Sequence, residues 1–516
     1  MRRHHQLAGI ITLGLALTGL LPTQSQAQDT PTHNNTAEAT IESQLRSINL
    51  PLVILETTDG TDPTCEPISA PPGCTGNGIT NNEYVKGRVR IVTGDDTLYD
   101  SGDYTDGESG MRVKVRGNSS AYTTCTSLKV KLQKKADLLF RGQSAYKDKE
   151  WLLLNYYSTY NLKTELGFRI GELVGMPWEP AHRFVNLMMN GKYRGLYMLS
   201  EAVKRADTRV QTTKSGFLIE ADPYWWNTED STFHTAYLPY SVAYSFKYPD
   251  DIEDQTTERI SQIRNYIADF ETKLTNGEDV STHIDIPSFA AWMLAHDVLG
   301  SFDGLGSNIF LTKEDYVGGD STSTKLKMGP LWDFDSACLC EGTWASAHDL
   351  SDFYFKKLFQ NEDFVLAYKA AWASLREKLP AEVAQLTDSI QSNQGEAIEQ
   401  SRQLTFNELG QYPYVSMADN VKEITDWFST RIPWMDESVA QLSASTSIGS
   451  PVTGTPQATA VSVYDASGML HLSASGQQAT GLLRGGPSAL QLQRGIYLLR
   501  VQYPDGTAQT LKWVKP

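Results

Sequence analysis

Two apolar runs, Phe184-Val185-Asn186-Leu187-Met188-Met189 and Arg194-Gly195-Leu196-Tyr197-Met198-Leu199, flank the dipeptide Asn190-Gly191 in a chain of 516 residues. Asn and Gly accept the positive φ of a two-residue turn, so this segment predicts a tight antiparallel hairpin. Strand-like runs at 51–56, 85–92, 111–115 and 151–154 precede it, and 162–174 carries helical spacing stopped by Gly175 and Pro177. The first part of the chain therefore reads as β-rich.

Downstream the period changes. Ile260, Ile263, Ile267 and Phe270 mark one face of a helix over 254–274, and Pro287-Ser288 opens another that runs to 299. Two short strands at 308–311 and 326–332 follow, and 353–442 is largely helical. The expected body is α+β over residues 48–442. A Ser/Thr/Gly/Pro tract at 443–459 reads as a linker, and 460–516, with strand-like runs between Gly turns, as a separate small β module. At the other end, Arg2 and Arg3 precede an uncharged apolar run over 7–21 and the small residues Ser25 and Ala27, the pattern of a secretory signal peptide over 1–27. Polar residues 28–47 read as a linker. No second apolar run is long enough to span a bilayer, so the mature chain is expected to lack a transmembrane segment.

Charge narrows the partners. Lys and Arg number 45 against 61 Asp and Glu, a formal charge of -16 and a pI near 5.1. That is the wrong sign for a surface that binds nucleic acid by releasing counterions, and for one held by anionic lipid, although a local basic pocket for a small phosphate ligand survives. Of the five cysteines, Cys65 and Cys74 close a short Pro/Gly-rich loop for which a local disulfide is expected in an oxidising compartment, while the pairing of Cys125, Cys338 and Cys340 is open.

No G-x-S-x-G, H-E-x-x-H, G-x-x-x-x-G-K-[ST] or G-x-G-x-x-G stands in the chain, which disfavours ordinary serine hydrolases, zincins and P-loop enzymes. The remaining cluster is "GSFDGLGSNIFL" followed by "KMGPLWDFDSA". Asp303 precedes Asn308 by the Asp-to-Asn interval of a protein-kinase catalytic loop, and the strand over 326–332 is expected to deliver Asp333 and Asp335 on one face. Phosphoryl transfer gives such residues work: one carboxylate orients the attacking hydroxyl, while an amide oxygen and further carboxylates hold Mg²⁺. Upstream, alternation puts Arg112, Lys114 and Arg116 on one face of a strand and Lys129 with Lys131 on one face of the next, placed to gather phosphate oxygens or equally to line a solvated face. Glu201 ends the second hairpin arm and is expected to pair with one of these lysines. Glu220 and Asp222 in "GFLIEAD" are further acids at a strand end, functional or structural.

At these residues the chain resembles the spore coat protein H kinase-like family, CotH. The resemblance runs through "LPLVILETTDG", "VRGNSS", "EWLLLNYYSTYNLKTELGFRI", "VNLMMNGKYRGLYMLSEAV", "GFLIEAD", "NIFLTKE" and "KMGPLWDFD" in consistent order. It implies a divergent two-lobed protein-kinase-like fold and a secreted or surface-associated bacterial kinase that uses ATP with Mg²⁺ or Mn²⁺ to phosphorylate Ser/Thr hydroxyls of an unidentified protein acceptor. By motif it implies Asp303 as the catalytic acid, Asp333, Asn308 and Asp335 as metal ligands, and Arg116, Lys129, Lys131 and Glu201 around ATP. Lys163 stands where the family commonly has Arg, and the loop between Asp303 and Asp333 looks longer than usual. The last 57 residues, with "VSVYDASGML", "RGIYLLRVQYPDG" and "LKWVKP", resemble the C-terminal sorting domain of the type IX secretion system, which implies contact with that secretion machinery; the usual opening of that domain is absent, and a generic β-sandwich module fits the same pattern.

A function of another class stays open beside the kinase: a surface adhesion or carbohydrate-associated protein that keeps the fold without catalysis. Its platform would be Tyr224, Trp225 and Trp226, although such rings usually end in cores.

Overall fold

A computed structural model describes residues 34–442 apart from 75, 81–82, 119–120, 122–124, 156–160, 251–254, 302–307, 317–323, 335–337, 340–352 and 411–413, and four strands beyond residue 459. The chain divides into two compact units, Met1–Ser445 and Thr446–Pro516.

The first unit opens with helix α1 (Asn34–Ser47), within the stretch that composition marks as a linker. Its Ile41 packs on the core and Leu45 is fully buried, with Ile48 buried just beyond, a spacing of four and three that lays one apolar stripe on the sheet despite the polar composition. Strand β1 (Leu52–Thr57), a small hairpin of β2 (Pro67–Ser69) and β3 (Asn77–Ile79), and β4 (Val85–Thr93), β5 (Asp96–Asp100), β6 (Met111–Val115), β7 (Leu128–Ala136) and β8 (Asp148–Leu154) follow. Helix α2 (Asn161–Val174) then leads to β9 (His182–Met189) and β10 (Lys192–Glu201). The last two form the expected hairpin, with Asn190 at φ 51° and Gly191 at φ 78°.

These strands run in the order β1-β9-β10-β8-β7-β6-β4-β5, and β1 also pairs antiparallel with β4. The β1–β4 pairing closes seven strands into a barrel, and β5 pairs with the far end of β4, beyond the stretch that pairs with β6. Closure explains the unbroken apolar runs. Val53, Leu55, Trp151, Leu153, Val185 and Leu187 fill one core, while their neighbours Leu52, Ile54, Leu152, Leu154, Phe184 and Met188 belong to a second core shared with the helices. Leu128, Val130 and Leu132 of β7 point inward, which sends Lys129 and Lys131 outward.

The rest of the unit is built on a five-stranded antiparallel sheet, order β12-β13-β11-β14-β15, from β11 (Phe217–Asp222), β12 (Thr232–Phe233), β13 (Ala243–Tyr248), β14 (Ile309–Lys313) and β15 (Leu326–Met328). Helices α3 (Thr257–Asn276) and α4 (Ile286–Leu299) sit between β13 and β14 in sequence. Each begins with a side-chain cap, from Thr256 and Asp285, and ends on a left-handed glycine, Gly277 and Gly300. Phe217 of β11 meets Tyr266 of α3 edge to face, so one side of the sheet packs on helices. Helices α5 (Phe355–Leu358), α6 (Glu362–Ile390), α7 (Glu396–Leu409) and α8 (Met417–Gln441) complete a helical C-terminal part, with a π-helical turn at Gln391–Gly395 between α6 and α7. The architecture is thus α+β, β-rich first and helical last. Among the described residues no helix is long and apolar enough to cross a membrane.

Strand β15 is shorter than expected. It stops at Met328, before Gly329-Pro330, because proline has no N–H to continue the ladder. Asp333 therefore stands in irregular backbone at φ 66°, not at the end of a strand, and strand alternation does not set where its side chain points.

The second unit contains β16 (Ala460–Asp465), β17 (Leu470–Ser475), β18 (Gly495–Gln502) and β19 (Ala508–Lys515), an antiparallel sheet in the order β17-β16-β18-β19.

Candidate functional site

Two left-handed residues meet where β14 begins. Asn308, at φ 62°, donates from Nδ2 to the carboxylate of Asp333 across 3.3 Å. Asn and Asp tolerate this conformation better than other residues with a Cβ, and holding two of them there costs energy that the surrounding contacts must offset.

Those contacts come from several sides. The Leu331 N–H donates to Glu179 Oε1 at 3.1 Å, and burial pushes the Glu179 carboxyl well above the usual range. Phe334 is fully buried and lies 5.4 Å from the His296 ring of α4. On α2, a Cβ at Gly167 would stand 2.2 Å from the Phe334 ring, so glycine is what lets the helix approach. One turn earlier on α2, Lys163 donates to the Cys338 carbonyl at 3.1 Å and pairs with Glu423 at 2.8 Å. The lysine thus holds both ends of its position by a single ammonium, where an arginine fork would hold them with two donor edges.

The basic strip has the expected register. Arg112 pairs with Lys131 and Lys114 with Lys129 across β6 and β7, and the Arg116 N–H continues the ladder to the Ser127 carbonyl. Arg112, Lys114 and Arg116 therefore span about 13 Å at strand rise. The guanidinium of Arg116 lies 5.8 Å from the ring of Trp332, the chain neighbour of Asp333. Lys114 and Arg112 lie 4.9 and 5.4 Å from the Tyr84 ring, and burial lowers the Lys114 ammonium from its usual value. At the other end, Lys131, Lys149, Glu150 and Lys204 line a polar cavity of about 510 Å³.

The lysines have a different acid partner from the one expected. Lys129 and Lys131 bond Glu150 of β8 at 3.1 and 3.3 Å. Burial alone would raise the Glu150 carboxyl, but Lys129, Lys204 and Lys131 hold it down at about 2. Glu201, by contrast, is buried at the end of β10 and accepts from Arg141 at 3.0 Å and from the Ala181 N–H at 3.2 Å, with Arg209 at 3.5 Å. It ties the barrel to the connection that leads to β11 rather than facing the strip.

On β11, Glu220 bonds Lys247 at 3.0 Å, and Lys247 bonds Asp230 at 2.6 Å. Asp222 accepts from the Tyr224 N–H at 2.7 Å and from Ser245 at 3.1 Å, and burial raises both β11 carboxyls. The ladder pairs Ala221 with Ile309, which sets Asp222 beside Asn308 in sequence order along it. Nearby, Trp225 meets His234 and Tyr240 edge to face, while Tyr224 and Trp226 pack on Gly76 and Gly78 of the β2–β3 hairpin; Asn227 bonds Asn118 of the R-G-N-S stretch at 3.3 Å. The three aromatic residues are largely spent on packing. Cys65 and Cys74, on the same excursion, are free thiols, so the expected local disulfide is not formed.

Asp303, Asp335 and Cys340 lie outside the described residues. Among the described residues no three His, Cys, Asp or Glu side chains stand together as a metal-binding group. The donors present at the Asn308–Asp333 pair, an amide and a carboxylate, are hard oxygen ligands suited to Mg²⁺ or Mn²⁺.

A scan of protein families matches residues 113–435 to the model described as CotH kinase protein, more than half of the chain. The chain belongs to the CotH kinase family. It is accordingly an atypical kinase-like protein. No curated protein matches it. The CotH span runs from β6 into α8, so it takes in Arg116, both strip lysines, Glu150, Asn308 and Asp333, while β1 and β4, which close the barrel, lie before it. Glu150, Glu179 and Lys247 escaped the sequence reading. Glu150 sits within "KEWLLL", where a charged residue ahead of a buried strand carries no signal that its partners are two strand residues about 20 positions earlier.

Proposed function

We propose that this CotH protein is an extracytoplasmic kinase that transfers the γ-phosphoryl group of ATP to Ser/Thr hydroxyls of a protein acceptor with Mg²⁺ or Mn²⁺. The observation that carries it is the approach of Arg116, on the strand it shares with Arg112 and Lys114, to Trp332, the chain neighbour of Asp333 in the Asn308–Asp333 pair. About 13 Å of strand is enough to lie along a triphosphate.

Arg116, Lys129 and Lys131 bind phosphate oxygens, with Glu150 holding the two lysines extended in the absence of nucleotide. Asp333 and Asn308, with Asp335 by motif, would hold the divalent ion, which when bound neutralises charge on the phosphates. Asp303, matched by the family motif, takes the proton of the attacking hydroxyl as its oxygen bonds to the γ-phosphorus and the bond to the β–γ bridging oxygen breaks, with ADP leaving. The leader pattern at 1–27 supports export, and the strand pattern of the second unit supports a sorting role in secretion.

Purified protein incubated with labelled ATP and Mg²⁺ or Mn²⁺ should label itself or an added acceptor, and Asp303→Ala and Asp333→Ala should each abolish the label. Absence of labelling, together with no nucleotide-dependent thermal shift in any metal, would overturn the assignment.

A further inference from the structure

A second polar cavity, about 280 Å³, touches α2 through Glu165. Glu165 is two residues from Lys163 and two from Gly167, about 200° around a helix, so the cavity lies on the side of α2 turned away from Phe334 and Cys338. Its walls also include Arg141, His182 and Arg183, with Ser389 at the end of α6 and Gln394 in the π-helical turn. Such turns interrupt α-helices most often where a site needs side chains re-aimed.

The cavity holds one guanidinium that its acids do not match. Arg183 is half-buried, its guanidinium 5.6 Å from the Phe140 ring, and it makes no side-chain hydrogen bond or ion pair with any described residue. Burial lowers its guanidinium from the usual value, and the nearby Asp137 is already bonded to Arg141. Arg141 is held in place by Asp137, by Glu201 at 3.0 Å and by the Tyr146 ring at 4.1 Å. His182 hydrogen-bonds Glu165 through Nε2 and the Pro180 carbonyl through Nδ1 at 2.9 Å; both nitrogens then donate, so the imidazole is charged. Burial would lower its pKa, but Glu165 raises it on balance. Glu165 is the one carboxylate among the described residues of the wall and it is matched by His182. Arg141 is matched by Asp137 and Glu201, so Arg183 is the cation left without an acid partner among the described residues, in a half-buried setting where an unpaired charge is costly.

We propose that this cavity is a binding site for a small oxyanion, a phosphate or phosphate monoester, gripped by the Arg183 guanidinium beside Arg141. The volume falls just below the roughly 300 Å³ where pockets for larger organic ligands begin, which suits an ion or a phosphorylated side chain and not a nucleotide. The planar fork of an arginine takes two phosphate oxygens at once. The inference is independent of the kinase assignment.

Isothermal titration of the full chain with inorganic phosphate and, separately, with O-phosphoserine at matched ionic strength tests it. Binding of either should weaken about tenfold to hundredfold in Arg183→Gln, the loss expected for a charge-assisted hydrogen bond. Ser389→Asp brings a carboxylate to the exposed side of the same cavity and should abolish binding without disturbing the barrel, which guards against a folding defect in Arg183→Gln. Lys131→Gln, in the other cavity, should leave this binding unchanged. Preference for O-phosphoserine would identify the monoester as the ligand form, and preference for phosphate the free ion. No binding of either, or binding that survives Arg183→Gln and is lost in Lys131→Gln, would overturn the proposal.

Discussion

The Asn308 amide reaches the Asp333 carboxylate across 3.3 Å while both residues hold left-handed backbone, so the contact and the strain belong to one arrangement. Two substitutions separate them. Asn308→Ala loses the hydrogen bond and places a less tolerant residue at φ 62°, and should cost about 1–3 kcal/mol. Asn308→Gly loses only the bond and should melt higher than the alanine variant. If the amide also serves the metal, both variants lose the Mn²⁺-dependent nucleotide shift in melting temperature equally, whatever their stability.

Gly167 and Phe334 should behave as one unit. A methyl group at Gly167 would lie 2.2 Å from the ring, so Gly167→Ala should destabilise by about 1–3 kcal/mol and displace the segment that carries Asp333. Phe334→Leu should recover part of that loss in the double variant, and denaturant melts of the four proteins measure the coupling.

Much of the fold could be read ahead of the coordinates because its signals are local. Asn190-Gly191 specifies its turn, the alternation in "RVKVRG" and "SLKVKL" specifies a common face, and the Pro287-Ser288 pair marks a helix start. What could not be read depends on register between distant segments. The barrel closes through Leu52 against Val92 and against Asn186, partners 40 and 134 residues apart in the chain. The choice of Glu150 over Glu201 as the lysines' acid is of the same kind: both end or begin strands of β8 and β10, and only the pairing of Lys131 with Glu150 decides between them. The strand expected over 326–332 overruns the end of β15 for a different reason, an apolar run continuing through Pro330 that looks like strand although its backbone cannot be.

Lys129, Lys131 and Glu150 make a third mutational prediction. Lys129→Met with Lys131→Met leaves the largely buried Glu150 carboxylate with Lys204 as its remaining nearby cation and should cost about 1–3 kcal/mol after allowance for the partial exposure of both lysines. Adding Glu150→Gln should restore most of that stability and none of the nucleotide affinity, which equilibrium binding of a fluorescent ATP analogue reads directly.

Glu271 of α3 predicts a pH dependence. Burial raises its carboxyl from an ordinary 4.5 to about 7, with Tyr354 donating to it at 2.8 Å. The folded state keeps a proton that the unfolded state has released over this interval, so the contribution to stability is full below about pH 4.5 and is lost as pH rises through 7. Glu271→Gln removes the titration. Relative to the parent, the variant should gain up to about 3 kcal/mol between pH 4.5 and pH 8, seen in urea melts at the two pH values.

The most direct test of the nucleotide site is the melting temperature of the protein with ATP and Mn²⁺, compared with Asp333→Asn and Arg116→Gln under the same conditions. The account predicts a rise of several degrees in the parent that needs both ATP and the metal and is absent in each variant, whose melting without ligand stays within a few degrees of the parent. An ATP-induced rise that persists in both variants, or no rise in the parent with any divalent metal, would contradict it.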